Sequence, residues 1–81
     1  MIVTVLYFAQ ARERAGRGSE TLELRDGSLL SDATAAIRAR HPELAGLWEH
    51  LAVAADGVLA PDDAALRDGA EIALLPPVSG G

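Results

Sequence analysis

The stretch Ile2-Val3-Thr4-Val5-Leu6-Tyr7-Phe8 most narrows what this chain can become. Its β-branched and aromatic residues suit a pleated surface, so it reads as a strand. Alternation sends Val3, Val5 and Tyr7 to one face and Thr4, Leu6 and Phe8 to the other. With apolar side chains on both faces, the strand belongs in the middle of a sheet. A chain of 81 residues has room for one core only. Whatever packs on this strand must come from the few elements that follow it.

Those elements can be read in order. Ala9 to Ala15 is a short, charged helical connection, closed by Gly16-Arg17-Gly18. Ser19 to Arg25 alternates as a second strand with Leu22 and Leu24 inward, and Asp26-Gly27 is a turn. Ser28, with Ser31 as the alternative, caps a helix that runs to about Ala39. Leu30, Ala33, Ala36 and Ile37 form its apolar stripe. His41-Pro42 ends that helix, and Pro42 starts a short turn through Glu43, Leu44, Leu47 and Trp48. Ala52 to Ala55, the turn Asp56-Gly57 and Val58-Leu59 read as a hairpin. Pro61-Asp62-Asp63 is loop, Leu66-Arg67-Asp68-Gly69 is a turn, and Glu71 to Leu75 is the last strand. The order predicts an α+β domain: a mixed four- to five-stranded sheet on one main helix, its first and last strands adjacent at the centre. Residues 1–75 form the body and residues 76–81 an extended tail.

Alternation puts Val3, Val5, Tyr7, Leu22, Leu24, Ile72 and Leu74 on the helix side. Leu6, Phe8, Ala73 and Leu75 then occupy the other face, where no second long helix is available to cover them. The segment 42–51 is the alternative cover. Left open, the four form an apolar patch of the kind that marks a protein interface.

Composition excludes several functions. The chain has no cysteine, which removes disulfides, thiolate nucleophiles and cysteine metal sites together. The formal charge of −5 argues against nucleic acid or an anionic membrane as partner. Ile2 to Phe8 lacks a basic leader and is too short to span a membrane, so a cytoplasmic location is expected. His41 and His50 read as surface or loop histidines without a ligand cluster, so no metal site is expected. Ser28, Ser31 and Ser79 lack a paired base, and Asp62-Asp63 reads as solvated loop. Gly16-x-Gly18 lacks the spacing and lysine of a nucleotide loop. Arg12-Glu13 reads as a surface ion pair and Trp48 as an anchor at the core's edge.

The chemistry concentrates at the end, Leu74-Leu75-Pro76-Pro77-Val78-Ser79-Gly80-Gly81. Two prolines restrict the backbone to an extended path as it leaves the last strand. From Pro76 onward the extended chain reaches roughly 20 Å, enough to carry a carboxylate into another protein's active site. Gly80 and Gly81 have no Cβ and fit a slot too narrow for other residues. At an average glycine usage of about 7%, a terminal Gly-Gly arises by chance in roughly one chain in 200. A frayed terminus is the plain alternative.

Three stretches carry a family resemblance: Tyr7-Phe8-Ala9-Gln10-Ala11-Arg12-Glu13, the turn Leu66-x-Asp68-Gly69-x-Glu71-Ile72, and the ending Pro76-Pro77-Val78-Ser79-Gly80-Gly81. Together they resemble the small subunits of molybdopterin synthase, ubiquitin-like β-grasp sulfur carriers, along essentially the whole chain. Asp56 stands where that family has Asn, Ala70 replaces a common acidic residue, Leu74-Leu75 an aromatic pair of some members, and Arg14 a frequent aliphatic.

The resemblance implies sulfur transfer. Gly81 would be adenylated by an ATP-dependent adenylyltransferase resembling ubiquitin activators, and a sulfur donor protein would then leave a thiocarboxylate. A carboxylate is a poor electrophile until its oxygen leaves easily, whereas a thiocarboxylate is a competent nucleophile. The tail, with Pro77, Val78, Ser79 and Gly80 giving access, would enter the large subunit and deliver sulfur to cyclic pyranopterin monophosphate. The resemblance also implies a heterotetramer, no permanently bound cofactor, and a catalytic pocket in the large subunit. Two other classes stand beside this one. They are a carrier for thiazole synthesis or tRNA thiolation, and a non-covalent β-grasp binding module or protein modifier.

Overall fold

A computed structural model describes residues 1–76. Pro77, Val78, Ser79, Gly80 and Gly81 lie outside the described residues. Strand β1 is Ile2–Tyr7, and it is followed by helix α1 (Ala9–Ala15) and strand β2 (Ser19–Glu23). Helix α2 (Leu30–Arg40) leads through 3₁₀ turns at Pro42–Leu44 and Trp48–His50 to β3 (Ala52–Ala55), β4 (Val58–Leu59) and β5 (Glu71–Leu75). The five strands lie in the order β2-β1-β5-β3-β4. β1 and β5 pair in parallel at the centre and the other pairs are antiparallel, so the sheet is mixed.

The predicted faces are the observed ones. Val3, Val5, Tyr7, Leu22, Ile72 and Leu74 are buried and meet Leu30, Ala33 and Ile37 of α2 in a single core. Burying a side chain such as Ile37 or Leu74 contributes about 1.5–3 kcal/mol. Left-handed backbone shapes several turns, of which two frame the strands and α1. Gly16 closes α1 at φ 75°, its N–H bonded to the Arg12 carbonyl. Asp56 and Gly57 take φ 51° and 83°, the pair of positive values that a two-residue hairpin turn requires.

Several boundaries differ from the sequence reading. β1 stops at Tyr7, because Phe8 is the residue from which α1 starts. β2 stops at Glu23, and Leu24 is only half-buried. Neither Ser28 nor Ser31 caps α2. The cap position is Leu29, whose N–H donates to the Asp32 carboxylate at 2.7 Å, while the Ser28 hydroxyl turns back to the Arg25 carbonyl. Asp32 satisfies an orphan donor of the first turn from inside the helix, so no hydroxyl cap is needed. Leu44 and Leu47 of the segment 42–51 are buried in the α2-side core, and the segment borders the opposite face only at Phe8, beside Leu47 and Leu51.

Candidate functional site

The sheet face turned away from α2 is the candidate site, and strand register assembles it. Leu6 sits opposite Ala73, Ala73 opposite Ala54, and Ala54 opposite Leu59. Residues directly opposite share a face, so these four form one apolar row across β1, β5, β3 and β4. Leu75 and its partner Ala52 lie two residues nearer the chain's exit on the same face. Phe8 stays extended (φ −123°, ψ 152°) and continues the alternation of β1 past its last paired residue. Ala9 then takes a left-handed φ of 51°, swinging the chain off the sheet immediately after Phe8.

Exposure follows the layout. Phe8 is 42% exposed and Leu59 61%, with Leu6, Ala73 and Leu75 half-buried and Ala54 recessed between them. The structure thus brings together all four residues that sequence reasoning placed on this face. It adds Leu59, Ala52 and Ala54, which that reasoning missed. The signal was available: a two-residue turn at Asp56-Gly57 sets Ala55 opposite Val58, and therefore Ala54 opposite Leu59. At the chain's exit, Phe8, Leu47, Leu51 and Pro76 line a groove of about 360 Å³. Gly81, Gly80, Ser79, Val78 and Pro77, the residues expected to carry the chemistry, lie outside the described residues.

The opposite side of the sheet holds a polar cluster. His41 is buried rather than a surface histidine, and so is Glu20, which alternation places beside Leu22 on the core face of β2. Tyr7 donates its hydroxyl to Glu20 Oε1, which also meets His41 Nε2 at 2.6 Å. His41 Nδ1 reaches Glu43 Oε2 at 2.9 Å, so carboxylates occupy both ring nitrogens. Arg17 and Arg40 reach Glu20 Oε2 at 3.1 and 3.4 Å. A buried carboxylate persists only when paired and hydrogen-bonded, and Glu20 is both.

Titration follows from these contacts. Burial opposes the charged form of Glu20, but the bonds from Tyr7 and His41 outweigh it and hold its carboxyl below the usual range. Burial alone would lower His41; Glu43 and Glu20 reverse that and raise it above the ordinary histidine value. Burial and then the Glu20 bond push the Tyr7 phenol well up. Among the described residues, no group of three or more His, Cys, Asp or Glu side chains is arranged to hold a metal ion. His50 is exposed, as expected, and Trp48 is half-buried with Arg38 stacked 4.5 Å from its ring centre. Arg12 does not pair with Glu13 among the described residues; its guanidinium lies over Gly18. No helix among them is long and apolar enough to cross a membrane.

A five-stranded mixed sheet wrapped on one main helix, with parallel first and last strands at its centre, is the ubiquitin-like β-grasp architecture. Residues 5–81 match the ThiS family, and the chain belongs to that family. It is 43% identical, over all of both chains, to the molybdopterin synthase sulfur carrier subunit of Chlamydomonas reinhardtii. Among solved structures it resembles SAMP1 of Haloferax volcanii, at a TM-score of 0.88 and 30% identity over all of both chains. It also resembles a chain in the complex of subunits 1 and 2 of molybdopterin-converting factor from Helicobacter pylori. There the TM-score is 0.73 and the identity 27%, again over all of both chains.

Proposed function

We propose that this chain is the sulfur carrier subunit of a molybdopterin synthase. The observation that carries the reading is full-length similarity to a protein of that name, at 43% identity, in a chain that ends Pro76-Pro77-Val78-Ser79-Gly80-Gly81. The geometry supports it, because β5 delivers the chain to Pro76 at the edge of an open apolar face. Leu6, Phe8, Leu75 and Leu59 would anchor the body on a large subunit while the tail reaches inward. The Helicobacter pylori complex, which joins a chain of this fold to a second subunit, supports a partner of that kind.

In this reading the Gly81 carboxylate attacks the α-phosphate of ATP within an activating enzyme, releasing pyrophosphate and forming an acyl-adenylate. Sulfur supplied at the sulfide oxidation level attacks the acyl carbon; the C–S bond forms, the C–O bond to AMP breaks, and AMP leaves. The resulting thiocarboxylate sulfur bonds to a carbon of cyclic pyranopterin monophosphate. Water then attacks the Gly81 acyl carbon, the C–S bond to Gly81 breaks and the carboxylate is restored. Two such deliveries complete the dithiolene that later holds molybdenum. ATP belongs to the activating enzyme and the pterin pocket to the large subunit. This chain contributes the carried atom and the docking surface.

The experiment is the intact mass of the chain after incubation with ATP, a cognate activating enzyme and a sulfur source. The expected gain is that of one oxygen replaced by sulfur, localised to Gly81 and lost on adding large subunit and pterin. No gain under any sulfur source would overturn the reading. The likeness to SAMP1, the small archaeal modifier protein 1 of Haloferax volcanii, supports a modifier as second reading. That function would appear as adducts joining Gly81 to lysines of other proteins.

A further inference from the structure

Five of the seven arginines of this acidic chain are gathered at one end, while Arg25 and Arg67 lie beside Asp26 and Asp68 at the other. Of the five, Arg12 and Arg14 lie on α1, Arg17 in the turn before β2, and Arg38 and Arg40 at the end of α2. This is the end of the sheet where β1 finishes and β2 begins, since the Tyr7 N–H donates to the Gly18 carbonyl. Only four of the twelve carboxylates, Glu13, Glu20, Glu43 and Glu49, share that end.

The other eight carboxylates cluster where β1 begins. Asp26 meets the amino terminus, Asp68 accepts the Ile2 N–H, Asp56 accepts the Glu71 N–H, and Glu23 pairs opposite Ile2. The backbone carbonyl of Asp62, beside Asp63, accepts the Ser31 N–H at the start of α2, one residue before Asp32. The six residues of β1 separate the two ends by roughly 17–20 Å, about twice the screening length of about 8 Å at physiological salt. A partner at the arginine end therefore feels the local charge rather than the net −5.

We propose that the arginine cluster around Glu20 docks an acidic segment of a partner protein. Glu20 is itself shielded, its side chain only 3% exposed, whereas those of Arg17 and Arg40 are 54% and 52% exposed. A guanidinium has five N–H donors in a fixed fork. Arg17 directs one nitrogen to Glu20, and Arg40 directs one to Glu20 and to the Thr21 carbonyl, leaving the outer donors of both turned to solvent. Glu20 thus holds two forks in place from below, removing part of the ordering entropy that binding a carboxylate would otherwise cost. Arg12 extends the row, because Gly18 leaves space above it: a Cβ there would meet the guanidinium at 3.6 Å.

The partner class follows from the charge layout. A short acidic segment fits within the cluster without reaching the far end. A nucleic acid duplex, with one charge per about 1.7 Å along its axis, would run on past the cluster into the carboxylates. The cluster also lies at the β2 edge on the α2 side of the sheet, clear of the apolar row that ends at Leu59 on the opposite edge. Both surfaces can be occupied together, and this one does not depend on the sulfur-carrier reading.

The test is an NMR titration of the ¹⁵N-labelled full chain with a polyglutamate peptide, at low salt and at about 150 mM salt. The expected result is saturable shifts centred on Arg12, Arg17, Gly18 and Arg40, weakened several-fold by salt. The paired variant Arg17→Gln, Arg40→Gln should abolish them. Should that variant unfold, Arg12→Gln leaves the Glu20 contacts intact and should weaken binding several-fold. The proposal is overturned by absence of saturable shifts at low salt, by shifts centred on the Leu6–Leu59 face, or by undiminished binding in folded variants. It is equally overturned if a DNA oligonucleotide or inorganic phosphate moves the same amides at lower concentration than the peptide. The titration involves no sulfur chemistry, so its failure leaves the mass experiment untouched.

Discussion

Leu6 and Leu59 end the same cross-strand row, joined through Ala73 and Ala54 and separated by three strand spacings. At about 4.8 Å per spacing the row is roughly 14 Å wide, a footprint suited to the centre of a protein interface. Its two outer members are 53 residues apart in sequence, so only the folded sheet makes them one surface.

The row therefore predicts binding defects without folding defects. Leu59→Asp and Phe8→Asp should each weaken affinity for a molybdopterin synthase large subunit by roughly 30-fold or more, as expected of hot spots costing about 2 kcal/mol. Both positions are substantially exposed, so thermal stability should stay within about 0.5 kcal/mol of the parent. Titration calorimetry with a melt of each variant checks both halves. Unchanged affinity in both folded variants would remove this face from the interface.

The buried segment 42–51 predicts the converse. Leu44 is fully buried in the core although it sits in a 3₁₀ turn. Leu44→Ala should cost about 2–5 kcal/mol through lost transfer energy and the cavity left behind. At about 4–8 °C per kcal/mol for a domain of this size, the melting temperature should fall by at least about 8 °C. A shift of under 2 °C would show that this turn is peripheral to the core.

Legibility from sequence tracks how local each determinant is. β1, β5 and the α2 stripe were readable because periodicity alone places Val3, Val5, Ile72, Leu74, Leu30 and Ile37. The hairpin was readable because Asp56-Gly57 suits one turn type. What failed to show depended on partners distant in the chain. His41 looks like a loop histidine until Glu20, 21 residues earlier, supplies the buried carboxylate that holds it. Glu20 continues the inward alternation of Leu22 and Leu24, yet its charge marks it as exposed until Tyr7 and His41 are known to face it. The α2 cap was misplaced because two serines offered a cap by composition, whereas Asp32 offered one by geometry. Leu59 was missed because the hairpin register was not carried through to the face it populates.

The Glu20–His41 contact predicts a pH dependence of stability. His41 is raised in the folded state, so its contribution is fully present below its ordinary value of 6.5 and is lost as pH rises through the folded value. Glu20 is lowered, so its contribution is present above its ordinary value of 4.5 and is lost as pH falls through the folded value. Stability from this pair should therefore be greatest between about pH 4.5 and 6.5, declining on both sides. His41→Gln should remove the alkaline limb and lower stability by about 1–3 kcal/mol, because it leaves buried Glu20 with one partner fewer. Denaturant melts across pH 4 to 9 measure both. An alkaline limb that persists unchanged in the variant would assign it to another group.

The last prediction separates the tail's chemistry from the body's stability. Among the described residues every core member precedes Pro76, and their last strand, β5, ends at Leu75. Deleting Gly81, or Gly80→Val, therefore alters none of these core residues. Under the proposed function, however, Gly81 is the residue that receives sulfur and Gly80 the one whose missing side chain admits the tail to a narrow channel. The deletion should abolish the thiocarboxylate mass gain, while Gly80→Val should slow its formation or its discharge at least tenfold. Both should leave the melting temperature within about 2 °C, the size of a change below 0.5 kcal/mol in a domain this small. A shift of several degrees would mean that the tail contributes to packing. Sulfur incorporation retained after the deletion would end the sulfur-carrier reading, because no carboxylate would remain at the position that the activating enzyme must adenylate.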